Sequence, residues 1–220
     1  MILNSIFLAL EYKEFSQELK LRVKDQSRHI TYYLQRKLKE LRYKSNDFNR
    51  IVISLSEAYP EKVYINSELV ASVTIKFHLN DLLNKTQLEI QDYYKSNIEK
   101  GLLLLDKNYT TPINEFFEWL KELKSINYKN EWTYKEKNFR PLGIKTTLKC
   151  SIDLERFNLS LLIEKNKNTI FNETILQTPP DDIAFYYKFK DLILDGDNLI
   201  VTSRIKGDKP FFELPLSKLK

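Results

Sequence analysis

Near the start of the chain the apolar positions change period. Ile6, Leu8, Leu10 and Tyr12 alternate with Phe7, Ala9, Glu11 and Lys13, and Leu19, Leu21 and Val23 alternate with Glu18, Lys20, Arg22 and Lys24. A period of two predicts two strands, because successive side chains of a strand face opposite sides. For the first, a short amphipathic helix over residues 2–14 competes, since Leu, Ala, Glu and Lys favour helix. From Ser27 to Lys44 the spacing becomes i, i+4, i+8 and i+11 at Ile30, Leu34, Leu38 and Leu41, one apolar stripe on a helix.

Two strands follow, Ile51 to Leu55 and the alternation of Leu69, Ala71, Val73, Ile75 and Phe77, flanking a turn at Tyr59-Pro60. Thr86 and Glu89 form a T-x-x-E capping box, which predicts a helix through Ile90, Tyr94 and Ile98 to Leu105. Pro112 stands in the first-turn position of another helix, whose core face is Ile113, Phe116, Phe117, Leu120 and Leu123. Beyond Ile126 the helical period stops. Short apolar or alternating segments recur at 132–134, 144–154, 159–163, 170–176, 183–189, 199–205 and 211–214. Their separators are turn sequences: Glu155-Arg156, Asn166-Lys167-Asn168, Pro179-Pro180-Asp181-Asp182, Asp195-Gly196-Asp197-Asn198 and Gly207-Asp208. The reading is an α+β protein with helices in the N-terminal and middle regions packed on a C-terminal antiparallel β-meander. Residues 1–220 are expected to be one domain, with any sub-boundary near residues 125–140.

Composition narrows the class. The chain has 220 residues, 42% hydrophobic and 30% charged, which excludes a disordered, collagenous or multi-span membrane protein. A single cysteine, Cys150, excludes an intramolecular disulfide, and the first residues lack the basic flank of a secretory signal, so a cytoplasmic protein is expected. Lys outnumbers Arg 27 to 8 and Asn occurs 17 times, the bias of an A/T-rich, bacterial coding genome. The net charge is +5, and all of the excess lies in residues 11–50.

No catalytic constellation stands out. The two histidines, His29 and His78, form no zinc-ligand pattern with Cys150 or each other. His78 precedes Asn80-Asp81, where a base oriented by Asp81 can be imagined, but no nucleophile is near and a structural or surface role is expected. His29, beside Arg28, is read as solvated or partner-contacting. Cys150 in a strand behaves as a small hydrophobe. With four glycines in the whole chain there is no phosphate-binding loop or nucleophile elbow. Asp195-Gly196-Asp197-Asn198 lacks the length and closing Glu of a calcium loop and reads as a hairpin turn. Neither catalysis, nor a metal, nor a cofactor is expected. A carboxylate-only metal site stays open at this level.

The 27–44 helix is the most distinctive feature. Arg28, Tyr32, Arg36, Lys39 and Arg42 are the candidate partner-binding residues, because basic groups with interleaved aromatics suit an acidic surface; a solvated face is the alternative. Of the doublets Tyr93-Tyr94 and Tyr186-Tyr187, one ring each is expected in the core.

The stretches IEKGLLLLDKNYTTPINEFFEWL (Ile98 to Leu120) and FKDLILDGDNLIVTS (Phe189 to Ser203) give the chain its likeness to a family. It resembles the bacterial immunity proteins of polymorphic-toxin and contact-dependent inhibition systems. The resemblance implies a protein that binds one cognate protein toxin and blocks it without catalysis. The basic net charge departs from the acidity of nuclease inhibitors and implies an acidic toxin surface or inhibition away from the active site. The runner-up is a nucleic-acid-associated protein using the 27–44 helix; no membrane partner is expected.

Overall fold

The computed structural model describes residues 1–83, 85–207 and 209–219. The chain is α+β, and it divides into two compact units, Met1–Asn130 and Glu131–Lys220. Among the described residues no helix is long and apolar enough to cross a membrane.

The first unit opens with β1 (Ser5–Leu10), a strand as its alternation predicts, with Ile6, Leu8 and Leu10 buried. The predicted second strand is corrected: residues 19–23 are the first turns of α1 (Gln17–Leu41), N-capped by Ser16, whose Oγ accepts from Leu19 N at 3.3 Å. Leu19 and Val23 fit a strand's period, yet they also continue the stripe of Ile30, Leu34 and Leu38 by helical steps of three and four once Ser27 is counted as inward. Ser27 is buried and leans towards the Leu8 carbonyl, so a polar residue breaks the apolar stripe in the sequence but not in space. The helix ends at Arg42, whose left-handed backbone (φ 53°) returns its N–H to the Leu38 carbonyl.

Next come β2 (Arg50–Ser56), β3 (Lys62–Ile65) and β4 (Val70–Lys76), in a sheet ordered β1-β2-β4-β3. β1 and β2 are parallel, with Ile6 opposite Ile51, and β2 and β4 are also parallel; only β3 is antiparallel to β4. The turn at Tyr59-Pro60 therefore leads into β3 and does not fold β2 directly back on β4. After α2 (Leu79–Leu83), the capping box at Thr86 starts α3 (Gln87–Asp106) as predicted, with Thr86 N donating to Glu89 at 2.8 Å. α3 crosses β2 so closely that a Cβ on Gly101 would lie 2.7 Å from Ile53. Only glycine permits that approach. α4 (Ile113–Ser125) buries Phe116, Leu120 and Leu123, while Ile113 and Phe117 are half-buried. Salt bridges Lys37–Glu122 (3.0 Å) and Lys124–Asp92 (2.8 Å) link it to α1 and α3.

The second unit holds β5 (Asn130–Phe139), β6 (Ile144–Ile152), β7 (Phe157–Lys165) and β8 (Asn168–Thr178) in one sheet of that order. β6, β7 and β8 are antiparallel. The β7–β8 turn places Asn166 and Lys167 at φ 53° and 68°, the two positive values a two-residue hairpin turn requires. At the β6–β7 turn the Asp153 carboxylate accepts from the amides of Glu155 and Arg156, both at 2.8 Å.

The expected strand at 183–189 is corrected to α5 (Asp182–Phe185) and a following turn, with Asp181 as the N-cap. Phe185 and Phe189, four residues apart, are both buried, and Phe185 stacks on Phe157 at 3.8 Å. β9 (Leu192–Asp195), β10 (Asn198–Val201) and β11 (Phe212–Pro215) form a separate antiparallel meander, hinged at the Asp195 to Asn198 hairpin. Gly207 is left-handed (φ 88°), and Asp208, the other half of that predicted turn, lies outside the described residues.

Candidate partner-binding surfaces

The predicted basic surface is only partly a surface. Arg28 is 3% exposed. Its guanidinium lies 3.4 Å from Thr31 Oγ1 and 3.5 Å from Gln35 Oε1, and over the rings of Phe7 (5.0 Å) and Tyr32 (5.4 Å). Gln35 in turn donates to the carbonyl of Ile6 at 2.8 Å, so this stretch of α1 ties down the edge strand β1. An edge strand left with unpaired backbone groups is open to pairing with other chains, and α1 blunts that edge.

Tyr32 is half-buried and Tyr33 is 5% exposed. Burial, reinforced by the Glu122 carboxylate, pushes the Tyr33 hydroxyl well above the ordinary phenol range. Arg36 is half-buried and donates to Asn130 Oδ1 at 2.7 Å, while Asn130 donates to the His29 carbonyl at 2.7 Å. Of the candidate residues, Lys39 and Arg42 alone are exposed. They stand at the C-terminal end of α1, where cations complement the helix dipole.

The histidine readings divide. His29 is fully buried, with Nδ1 2.8 Å from the Gln26 carbonyl and its ring edge-on to Tyr128 at 6.0 Å; it is a core residue and not a solvated one. His78 is exposed. Cys150 is 2% exposed in β6, consistent with a small hydrophobe. Asp191 is partly shielded from water, but hydrogen bonds from Leu192 N (2.8 Å) and Lys135 hold its carboxyl below the usual range. Among the described residues no group of three or more His, Cys, Asp or Glu is placed to hold a metal.

A second surface, unmarked in the sequence reading, lies on α5 and the β10–β11 connection. Ile183 is 77% exposed, Tyr186 45%, Tyr187 53% and Ile205 52%. Both tyrosines of the doublet are thus outside, contrary to the expectation of one in the core. The cause is the helical turn: Phe185 and Phe189 take the inward positions, so residues 186 and 187 must face out. That spacing, behind the N-cap Asp181, is the signal that could have found the surface.

The two rings are held. Arg204 donates to Tyr134 Oη at 2.6 Å and lies 4.2 Å from the Tyr186 ring, and Tyr186 meets Tyr187 edge-on at 5.1 Å. The Tyr187 carbonyl accepts from Arg204 N at 3.1 Å and from Ser203 Oγ at 3.3 Å. A recess of about 420 Å³ opens beside them, floored by Ile183, Tyr187, Ile205 and Phe211 and bordered by Lys188 and Lys209. Lys206 is exposed beside Ile205. An apolar, tyrosine-rich centre with a charged rim is the anatomy of a protein-recognition surface. No protein-family model matches the chain, and neither does any curated protein or solved structure.

Proposed function

We propose that this protein is a stoichiometric protein-binding module, an immunity protein that neutralises a cognate bacterial toxin, and that it acts without catalysis. The observation that carries the reading is the outward cluster of Ile183, Tyr186, Tyr187 and Ile205. Large apolar side chains this exposed cost solubility and contribute nothing to the core, whereas at an interface tyrosine and isoleucine supply contact area with few rotors to freeze. The rim of Lys188, Lys206 and Lys209 offers cations to a partner whose corresponding face is acidic.

The reading expects a large toxin gene directly upstream, and the test is co-expression with the toxin that such a gene encodes. The wild-type chain should protect cells and co-purify at fixed stoichiometry. Ile183→Asp and Tyr187→Ala should weaken the complex at least about tenfold, chiefly through faster dissociation, without lowering the melting temperature. A complex indifferent to both changes overturns the surface assignment. Binding to any nucleic acid in a length- and salt-dependent manner, with no toxin complex, overturns the function.

A further inference from the structure

We infer that the face of the first unit's sheet opposite Ile51, Ile53 and Leu55 carries a separate site for a small anionic sugar. Helices α1 and α3 pack on the face bearing Ile51, Ile53 and Leu55. Alternation sends the intervening residues to the opposite face, where strand register sets them in rows. One row is Ala9, Ser54, Thr74 and Lys62; the next is Phe7, Val52, Ser72 and Tyr64. A recess of about 280 Å³ lies over these rows and takes in Glu11, just past the carboxyl end of β1. Ligands of open sheets with parallel strands gather at the carboxyl ends of those strands.

Three hydroxyls line the recess, and Thr74 lies deepest. It is 3% exposed and lines the recess, yet its hydroxyl makes no hydrogen bond to any described residue. The hydroxyls of Ser54 and Ser72 beside it are likewise uncommitted within the described chain. Three hydroxyls that line one recess and bond no described protein group are free to donate to and accept from a molecule seated there.

The rest of the lining defines the chemistry. Hydroxyls that both donate and accept match the hydroxyls of a polyol. The rings of Tyr59 and Tyr64 offer flat apolar faces to the C–H side of a sugar ring. Lys13 and Lys62 against Glu11 leave one positive charge in the recess, which suits a single anionic group. Its volume, just under the roughly 300 Å³ at which drug-sized pockets begin, admits one ring.

Tyr59 is positioned in advance. Ser56 Oγ accepts from Tyr59 N at 2.7 Å and donates to Glu14, whose other oxygen accepts from Glu57 N at 2.7 Å and Ala58 N at 3.2 Å.

The experiment titrates the full chain with glucuronate, a hexose monophosphate, glucose, inorganic phosphate and a mononucleotide, read by amide chemical shifts. Saturable shifts at Ser54, Ser72 and Thr74 are expected with glucuronate or the hexose monophosphate, at least about tenfold tighter than with glucose or inorganic phosphate. The two anionic probes distinguish a carboxylate from a phosphate source. Lys62→Gln should erase the preference for anionic over neutral sugar. Thr74→Val, equal in shape, should weaken binding about tenfold; Ser72→Ala should weaken it too, and serves should the valine variant not fold. The absence of saturable shifts at these residues, inorganic phosphate binding as tightly as the sugars, or the mononucleotide binding tightest would each overturn the proposal.

Discussion

Two stretches that each carry a tyrosine doublet, 28–36 on α1 and 183–205 around α5, are opposite in placement. On α1, Arg28 is 3% exposed and Arg36 is tied to Asn130. Around α5 the apolar Ile183 and Tyr187 stand in solvent. The lesson is that a charged side chain with enough donors can serve as internal structure when a hydroxyl, an amide oxygen and aromatic faces meet it, as they meet Arg28. An apolar side chain stays outside when its neighbours already fill the inward positions, as Phe185 and Phe189 do. Charge therefore pointed to the first stretch, while the surface best suited to recognition is the second.

The largest effect should separate inner from outer rings within the second stretch. Phe185→Ala, which empties the stack on Phe157, should cost about 3–5 kcal/mol, against about 0.5 kcal/mol or less for Tyr187→Ala. Denaturant unfolding followed by Trp132 fluorescence, in a Trp119→Phe background, reads both. Equal losses would mean that residues 182–189 do not pack as described.

A smaller difference should appear on α1. Arg28→Met and Asn130→Ala should each cost about 1–3 kcal/mol, because each strands buried hydrogen-bonding groups, while Lys39→Glu with Arg42→Glu should change stability by less than about 1 kcal/mol. The same unfolding measurement, read by Trp119, decides. If the Lys39 and Arg42 reversals cost as much as Arg28→Met, the helix's polar face is structural throughout and the contrast with α5 disappears.

The smallest effect concerns an acidic counterpart of Arg28. Slight burial would raise the Glu14 carboxyl, but hydrogen bonds from Ser56 and the amides of residues 57–59 outweigh it and hold it below its ordinary value of 4.5. A carboxyl depressed in the folded state stabilises above its unfolded pKa, and that contribution is lost as pH falls through the folded value. The amide shifts of Glu57 and Ala58 should accordingly titrate together with a midpoint below 4.5, and Glu14→Gln should abolish the transition. A midpoint above that value would show that the carboxylate does not hold this loop.

Much of the local structure could be read from the chain itself. The capping box at Thr86, the Phe116, Leu120 and Leu123 stripe of α4, the strands β2, β4 and β6 to β8, and the Asn166-Lys167 turn each depend on residues within one or two turns of each other, and such signals survive in any tertiary setting. What needed the tertiary structure was everything set by a distant partner. Residues 17–26 join α1 because Ser27 finds β1 beneath it and Val23 is buried on the same face, so the period-two pattern there loses to packing. β2 runs parallel to β4, and not as its hairpin mate, because β3 takes the antiparallel place at that edge. Arg28 lies inside because Phe7, Tyr32 and Gln35 converge on it, and no spacing in the sequence encodes that meeting. Tyr187 lies outside because Phe157 accepts Phe185 instead. Local propensity is a sum over neighbours in the chain, whereas the side of a residue that is covered depends on which remote element arrives, and that is decided only when the whole unit packs.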